Sequence, residues 1–213
     1  MSEYWPFKVP RATEVVADAS VFGGVASIRY VEHGILGQGW KFLAHLTPPA
    51  VEADRRVVEL GSLVEVDPSI LAVAELPPGW WARRAAAGEP WFLGEVVARH
   101  LSPDGSLILE WSRATDGDET IGFTPGVWHT HPELLTVSRG ETRHQAASTF
   151  IEAITSSTLP LAVYCRGGRI EDVVPVWDQS LEDVLDDPHF EPDESVMLRL
   201  WDGTLLEDPR RGT

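Results

Sequence analysis

The chain has 213 residues, 43% hydrophobic and 23% charged, which suits a folded protein of one large or two small domains, each with its own core. Its 17 basic side chains stand against 33 acidic ones for a net charge of -16, and the excess is uneven: residues 1–91 hold 8 basic and 11 acidic groups (net -3), residues 92–213 hold 9 and 22 (net -13). Such a charge repels nucleic acid and anionic membranes, the lone Cys165 excludes an internal disulfide, and no apolar run nears the roughly eighteen residues that cross a bilayer, so a cytoplasmic protein is expected.

Residues 1–12 read as a tether, with Tyr4, Trp5 and Phe7 set among Pro6 and Pro10 so that they lie over a neighbouring surface without regular structure. Short strands are expected at Thr13 to Ala19, Val25 to Val31 and Gly39 to Leu43, followed by a loop over 47–54. Asp67 can cap a helix that begins at Pro68 and runs to Leu76, where Pro77-Pro78-Gly79 stops it, and Trp80 to Arg84 returns as a strand. Gly88-Glu89-Pro90 is the expected domain boundary.

The order Gly39-Trp40-Lys41-Phe42-Leu43, Leu60-Gly61-Ser62-Leu63, Asp67-Pro68-x-Ile70 and Leu76-Pro77-Pro78-Gly79-Trp80 resembles immunity-protein family thirty-three of bacterial polymorphic toxin systems over residues 13–91. In that family a Gly-Trp-Arg-Phe strand precedes an Asp-Pro helix and a Pro-Gly turn in a small α+β domain. Its acidic cluster after the Gly-Trp strand is reduced here to Glu52 and Asp54. The resemblance implies a module that neutralises a cognate toxin by contact.

Beyond the boundary, Phe92 to His100 and Ser106 to Trp111 form an expected hairpin around Ser102-Pro103-Asp104-Gly105. Next comes the one tight group of chemically capable side chains, Gly126-Val127-Trp128-His129-Thr130-His131-Pro132. Extended backbone sends alternate side chains to opposite faces, so His129 and His131 share one face and Trp128 and Thr130 the other, while Pro132 ends the strand. Two imidazoles at this spacing can grip one zinc ion, and a third ligand would come from Glu133, Glu141 or His144. His129-x-His131-Pro132 followed by Ser138-x-x-Glu141 also resembles the metal motif of the JAMM-type metalloisopeptidases, in which two histidines, a serine and an aspartate surround zinc. Here the final carboxylate is Glu141, and Glu95, Glu110 and Glu119 are open alternatives for the general base.

A helix is expected over 141–155 with Ala147, Phe150, Ile151 and Ile154 as its apolar stripe, crossing the sheet near the histidines. Leu159 to Cys165 and Ile170 to Trp177 make a second hairpin around Arg166-Gly167-Gly168-Arg169, with Cys165 read as a buried small hydrophobe, and Val196 to Trp201 supplies a last strand. Asp178 to Glu194 carries eight carboxylates and no lysine or arginine, without the glycine-centred oxygen-ligand loop that calcium favours. The tail from 207 is expected to be mobile.

The expected architecture is thus α+β: two small mixed domains, 13–91 and 92–206, each an antiparallel-rich sheet packed with one or two helices. The expected function is non-catalytic binding of a cognate protein, a basic toxin, with no cofactor and with Trp40, Trp80, Asp183, Asp186 and Asp187 as nominated contacts. The alternative is a zinc-dependent hydrolase on His129 and His131, with Glu141 or His144 completing the shell.

Overall fold

A computed structural model describes residues 5–22, 26–35, 38–44, 55–135, 140–177 and 194–206. The architecture is α+β, with strands predominating over short helices. The chain divides into two compact units, Met1–Val96 with Arg113–Asp118, and Val97–Ser112 with Glu119–Thr213. The division falls inside a strand, after Val96, rather than at Gly88-Glu89-Pro90. The ten residues Phe92–Leu101 form one continuous strand, so pairing runs on past the featureless stretch that looked like a linker. Among the described residues, no helix is long and apolar enough to cross a membrane.

The first unit contains β1 (Glu14–Asp18), α1 (Ala19–Phe22), β2 (Tyr30–His33), β3 (Trp40–Leu43), β4 (Arg55–Glu59), α2 (Leu60–Val66), a 3-10 turn (Pro68–Val73), β5 (Trp80–Arg83) and the start of β6 (Phe92–Leu101). Its strand order is β4-β1-β3-β2-β5-β6, with β1 and β3 parallel and the other registered pairs antiparallel. On one face Val15, Ala17, Val31, Trp40, Phe42 and Ala82 meet Leu60 and Leu63 of α2 and Ile70 and Val73 of the 3-10 turn. Phe7 is buried in the same core, so the expected tether is docked where it is described.

Three local expectations shift. Of the strand expected from Val25, which itself lies outside the described residues, only Tyr30 onward is strand, because the ladder to β3 and β5 runs from Tyr30 to His33. The helix expected from Pro68 is a 3-10 turn, capped as anticipated by Asp67, whose Oδ1 accepts the Ser69 N–H at 3.2 Å. A seven-residue helix, α2, precedes it.

A buried arginine ties the far end of this region together. Arg84 donates from Nε to Ile28 O at 2.7 Å, from one terminal nitrogen to Ser69 Oγ at 2.6 Å, and from the other to Asp67 Oδ2 at 2.5 Å. Its guanidinium plane lies 4.4 Å from the Trp91 ring centre. The opposite sheet face carries Lys41, Glu32, Trp81 and Gly94 as successive cross-strand neighbours. Glu32 is 1% exposed and accepts from Lys41 Nζ and Tyr30 Oη, each at 3.1 Å, so its buried charge is paired.

The second unit contains the rest of β6, most of β7 (Ile108–Ala114), β8 (Glu119–Thr124), β9 (His129–Thr130), a 3-10 turn (Pro132–Leu134), α3 (Arg143–Thr155), β10 (Leu161–Arg166), β11 (Arg169–Pro175) and β12 (Glu194–Arg199). The last three form a separate antiparallel sheet ordered β11-β10-β12. Leu107, Leu109, Trp111, Ile121 and Phe123 pack with Ala147, Ile151 and Ile154 of α3 and with Leu161, Val163, Val173 and Trp201. Thr142 caps α3 in a reciprocal box with Gln145, which fixes where the helix starts. Cys165 is half-buried rather than fully enclosed, and burial pushes its thiol up from the usual value.

Candidate functional site

The local chain around the histidines is shaped by a carboxylate from a strand far away in sequence. After β8 the chain turns through a cis Thr124-Pro125 bond and Gly126, whose φ of +153° is a conformation side chains rarely adopt. Asp172 on β11 then accepts from the backbone N–H groups of Val127 and Trp128 at 2.9 Å each, through the same Oδ1 that takes Val173 N at 2.9 Å. A β-carbon on Gly126 would come 3.0 Å from that oxygen, so the carboxylate occupies the space that a side chain would need.

Held this way, the chain enters β9 antiparallel to β8, with Thr130 opposite Ile121 and His129 opposite Gly122. Gly122 lets β9 close in, since a β-carbon there would meet Trp128 O at 3.0 Å and His129 Cβ at 3.1 Å. The expected alternation appears. Thr130 is buried and Trp128 packs on the core, while His129 is exposed and His131 half-buried.

The two imidazole rings lie 5.4 Å apart at 73°. His129 Nδ1 sits 3.1 Å from Val127 O, and because a carbonyl only accepts, Nδ1 is the donor in that bond. Pro132 opens the 3-10 turn that brings Glu133 round, and ligand atoms of His131 and Glu133 lie within 4.8 Å of each other. His129 belongs to no group of three close ligand atoms among the described residues, so the two imidazoles and a carboxylate that would suit zinc do not converge on one point.

The other nominated ligands are used elsewhere. Glu141 accepts from Thr149 Oγ1 at 3.2 Å, and the His144 ring rests against Trp111 at 4.6 Å. Among the described residues neither joins a ligand cluster with the histidines, and no cluster holds both histidines with a carboxylate: Glu133 lies close to His131, while His129 stands outside any such group. The start of α3 keeps Glu141 and His144 away: its cap at Thr142 sets Glu141 before the helix and turns His144 to the indole. Ser138, the other half of the motif, lies outside the described residues.

The nominated partner contacts fare unevenly. Trp40 is 4% exposed, stacked on His33 at 4.1 Å and edge-on to Phe7 at 5.3 Å, so it offers a partner no surface. Trp80 is half-buried against the same core. Asp183, Asp186 and Asp187 lie outside the described residues.

Sequence reasoning missed Asp172 and an aromatic group beside the histidine strand. Trp177 meets Trp128 at 5.8 Å and Phe150 at 5.0 Å, both edge-on. The signal present in the sequence was a tryptophan closing an otherwise buried strand run, Val173 to Trp177. Comparison of the chain with protein-family models, with curated proteins and with solved structures finds no match.

Proposed function

We propose that this chain is a non-catalytic protein-binding module, most concretely an immunity protein that neutralises a toxin by direct contact. The observation that carries this reading is the charge. Residues 92–213 hold 22 acidic groups against 9 basic, a field that accelerates capture of a basic protein and disfavours nucleic acid and anionic lipid. The motif order over 13–91 supports the toxin-neutralising form of the reading. Titrating the purified chain with basic proteins encoded beside it should give a complex that weakens steeply with added salt. Failure to bind any of them at low salt would overturn the proposal.

A zinc-dependent hydrolase is the second reading, favoured by the 5.4 Å approach of His129 and His131 and the proximity of Glu133 to His131. His131 and Glu133 would hold the ion, and the His129 ring, which belongs to no close ligand group among the described residues, would have to turn to join them. Bound zinc would supply a water acidified to near neutrality. The protein's own part is positional: Asp172 fixes the turn into β9. Metal analysis of untagged protein separates the readings. Stoichiometric zinc, lost in both His129→Ala and His131→Ala, supports the second, whereas metal-free protein with unchanged folding removes it.

A further inference from the structure

The exposed apolar residues of the second unit are of two kinds. Leu101, Val127, Leu134, Met197 and Leu205 are not aromatic, while Trp177 is an exposed indole connected to the half-buried rings of Trp128 and Phe150. Trp177 is 45% exposed and yet clamped, its ring edge-on to Trp128 at 69° and to Phe150 at 79°. Val127, the chain neighbour of Trp128, is 78% exposed, and the N–H groups of both residues are held by Asp172. A large indole that is both solvent-facing and immobilised has little side-chain freedom left to lose on binding, which is what makes tryptophans strong interface anchors.

We propose that the aromatic group of Trp128, Phe150 and Trp177, with the exposed Val127 next to Trp128 in the chain, docks a basic polypeptide, with an apolar side chain of the partner set against the Trp177 indole. The inference rests on the protein-binding reading and gives it a location. Charge selects this occupant from the others that such a face could take. A second copy brings another -16 charges to a surface whose own half of the chain carries -13, and nucleic acid, whose bases also stack on indoles, brings phosphates into the same field. A cationic segment with an apolar side chain meets both the field and the rings.

The test uses the full chain labelled with 5-fluorotryptophan, the Trp177 resonance being assigned through Trp177→Phe. The probes are two synthetic lysine-rich peptides of equal charge, one with a central leucine and one with serine there. The leucine peptide should bind about tenfold more tightly and move the Trp128 and Trp177 resonances. Trp177→Ser should lose that advantage, Val127→Ser should reduce it without touching the core, and Leu101→Ser should leave it unchanged. Equal binding of the two peptides with the Trp177 resonance still would overturn the docking face while leaving acidic capture of a basic partner intact. Absence of binding by either peptide would overturn the face as well, and the protein-binding reading itself falls only if titration with the neighbouring proteins also fails. A concentration-dependent dimer that Trp177→Ser dissolves would assign the face to a second copy and end the proposal.

Discussion

Asp172 and Trp128 lie 44 positions apart in the chain, and the carboxylate of the first holds the backbone N–H of the second at 2.9 Å. Val127 N is held by the same oxygen, so one side chain from β11 sets the turn that aims both His129 and the exposed aromatic group. Replacing Asp172 with alanine strands the half-buried Trp128 donor. The expected loss is about 1–3 kcal/mol in urea unfolding, and the amide resonances of 126–131 should broaden while those of β12 stay sharp. Unchanged stability and unchanged resonances would show that the turn holds itself.

Acid should drain the stability that Asp104 lends the β6–β7 turn. Burial alone would raise the Asp104 carboxyl, but hydrogen bonds from Arg199, Ser102 and Ser106 outweigh it and hold the group well below the usual carboxylate range. Arg199 reaches Asp104 Oδ2 at 2.8 Å from a nearly buried position on β12. A depressed folded-state pKa contributes stability that is fully present above the unfolded value near 4 and drains away as pH falls below it. Asp104→Asn should therefore melt lower than wild type at pH 7, and the gap between their melting temperatures should close as pH is lowered past about 4.

Gly94 is required by an indole. A β-carbon at this position would sit 2.3 Å from Cζ2 of Trp81 and 2.7 Å from the Arg113 carbonyl oxygen, and Trp81 is itself only 4% exposed. Gly94→Ala should cost about 1–3 kcal/mol through overpacking, read as a lower midpoint at unchanged m-value. Shrinking the indole with Trp81→Leu should recover only part of that loss, because the backbone oxygen cannot yield as a side chain does.

Arg84 organises the region around the Asp67 cap, and lysine cannot replace it. Its three nitrogens serve Ile28 O, Ser69 Oγ and Asp67 Oδ2 at once, a spread that needs the planar fork. Arg84→Met leaves Asp67 without its cation and the Ile28 carbonyl without this donor, at an expected cost of about 3 kcal/mol or more. Arg84→Lys should fall nearly as far, and its retention of full stability would show that charge alone suffices.

What was legible in the sequence was what depends on neighbours along the chain. Period-two alternation put His129 and His131 on one face and Thr130 on the other, and Asp67-Pro68 marked a helical start. Gly105, Gly167 and Gly168 sit at positive φ in turns that their neighbours announce. Apolar spacing gave α3 to within two residues of its observed start. What depends on distant partners was not legible. Glu32 lies just past the expected strand Val25 to Val31, and its burial depends on β3 and β5 pairing on either side of it, while the placement of Glu141 and His144 away from the histidines hinges on where the α3 cap falls. Trp40 was within reach: it shares strand parity with Phe42, which already argued for the core.

β9 is two residues long and ends at Thr130, and Pro132 just beyond it has no N–H to offer. A sheet margin this brief gives a passing strand almost nothing to zip onto, so growth into fibres by edge addition is blocked at the place where the ring-bearing surface would otherwise invite it. At this margin, aromatic side chains can thus meet water without the neighbouring backbone inviting another strand.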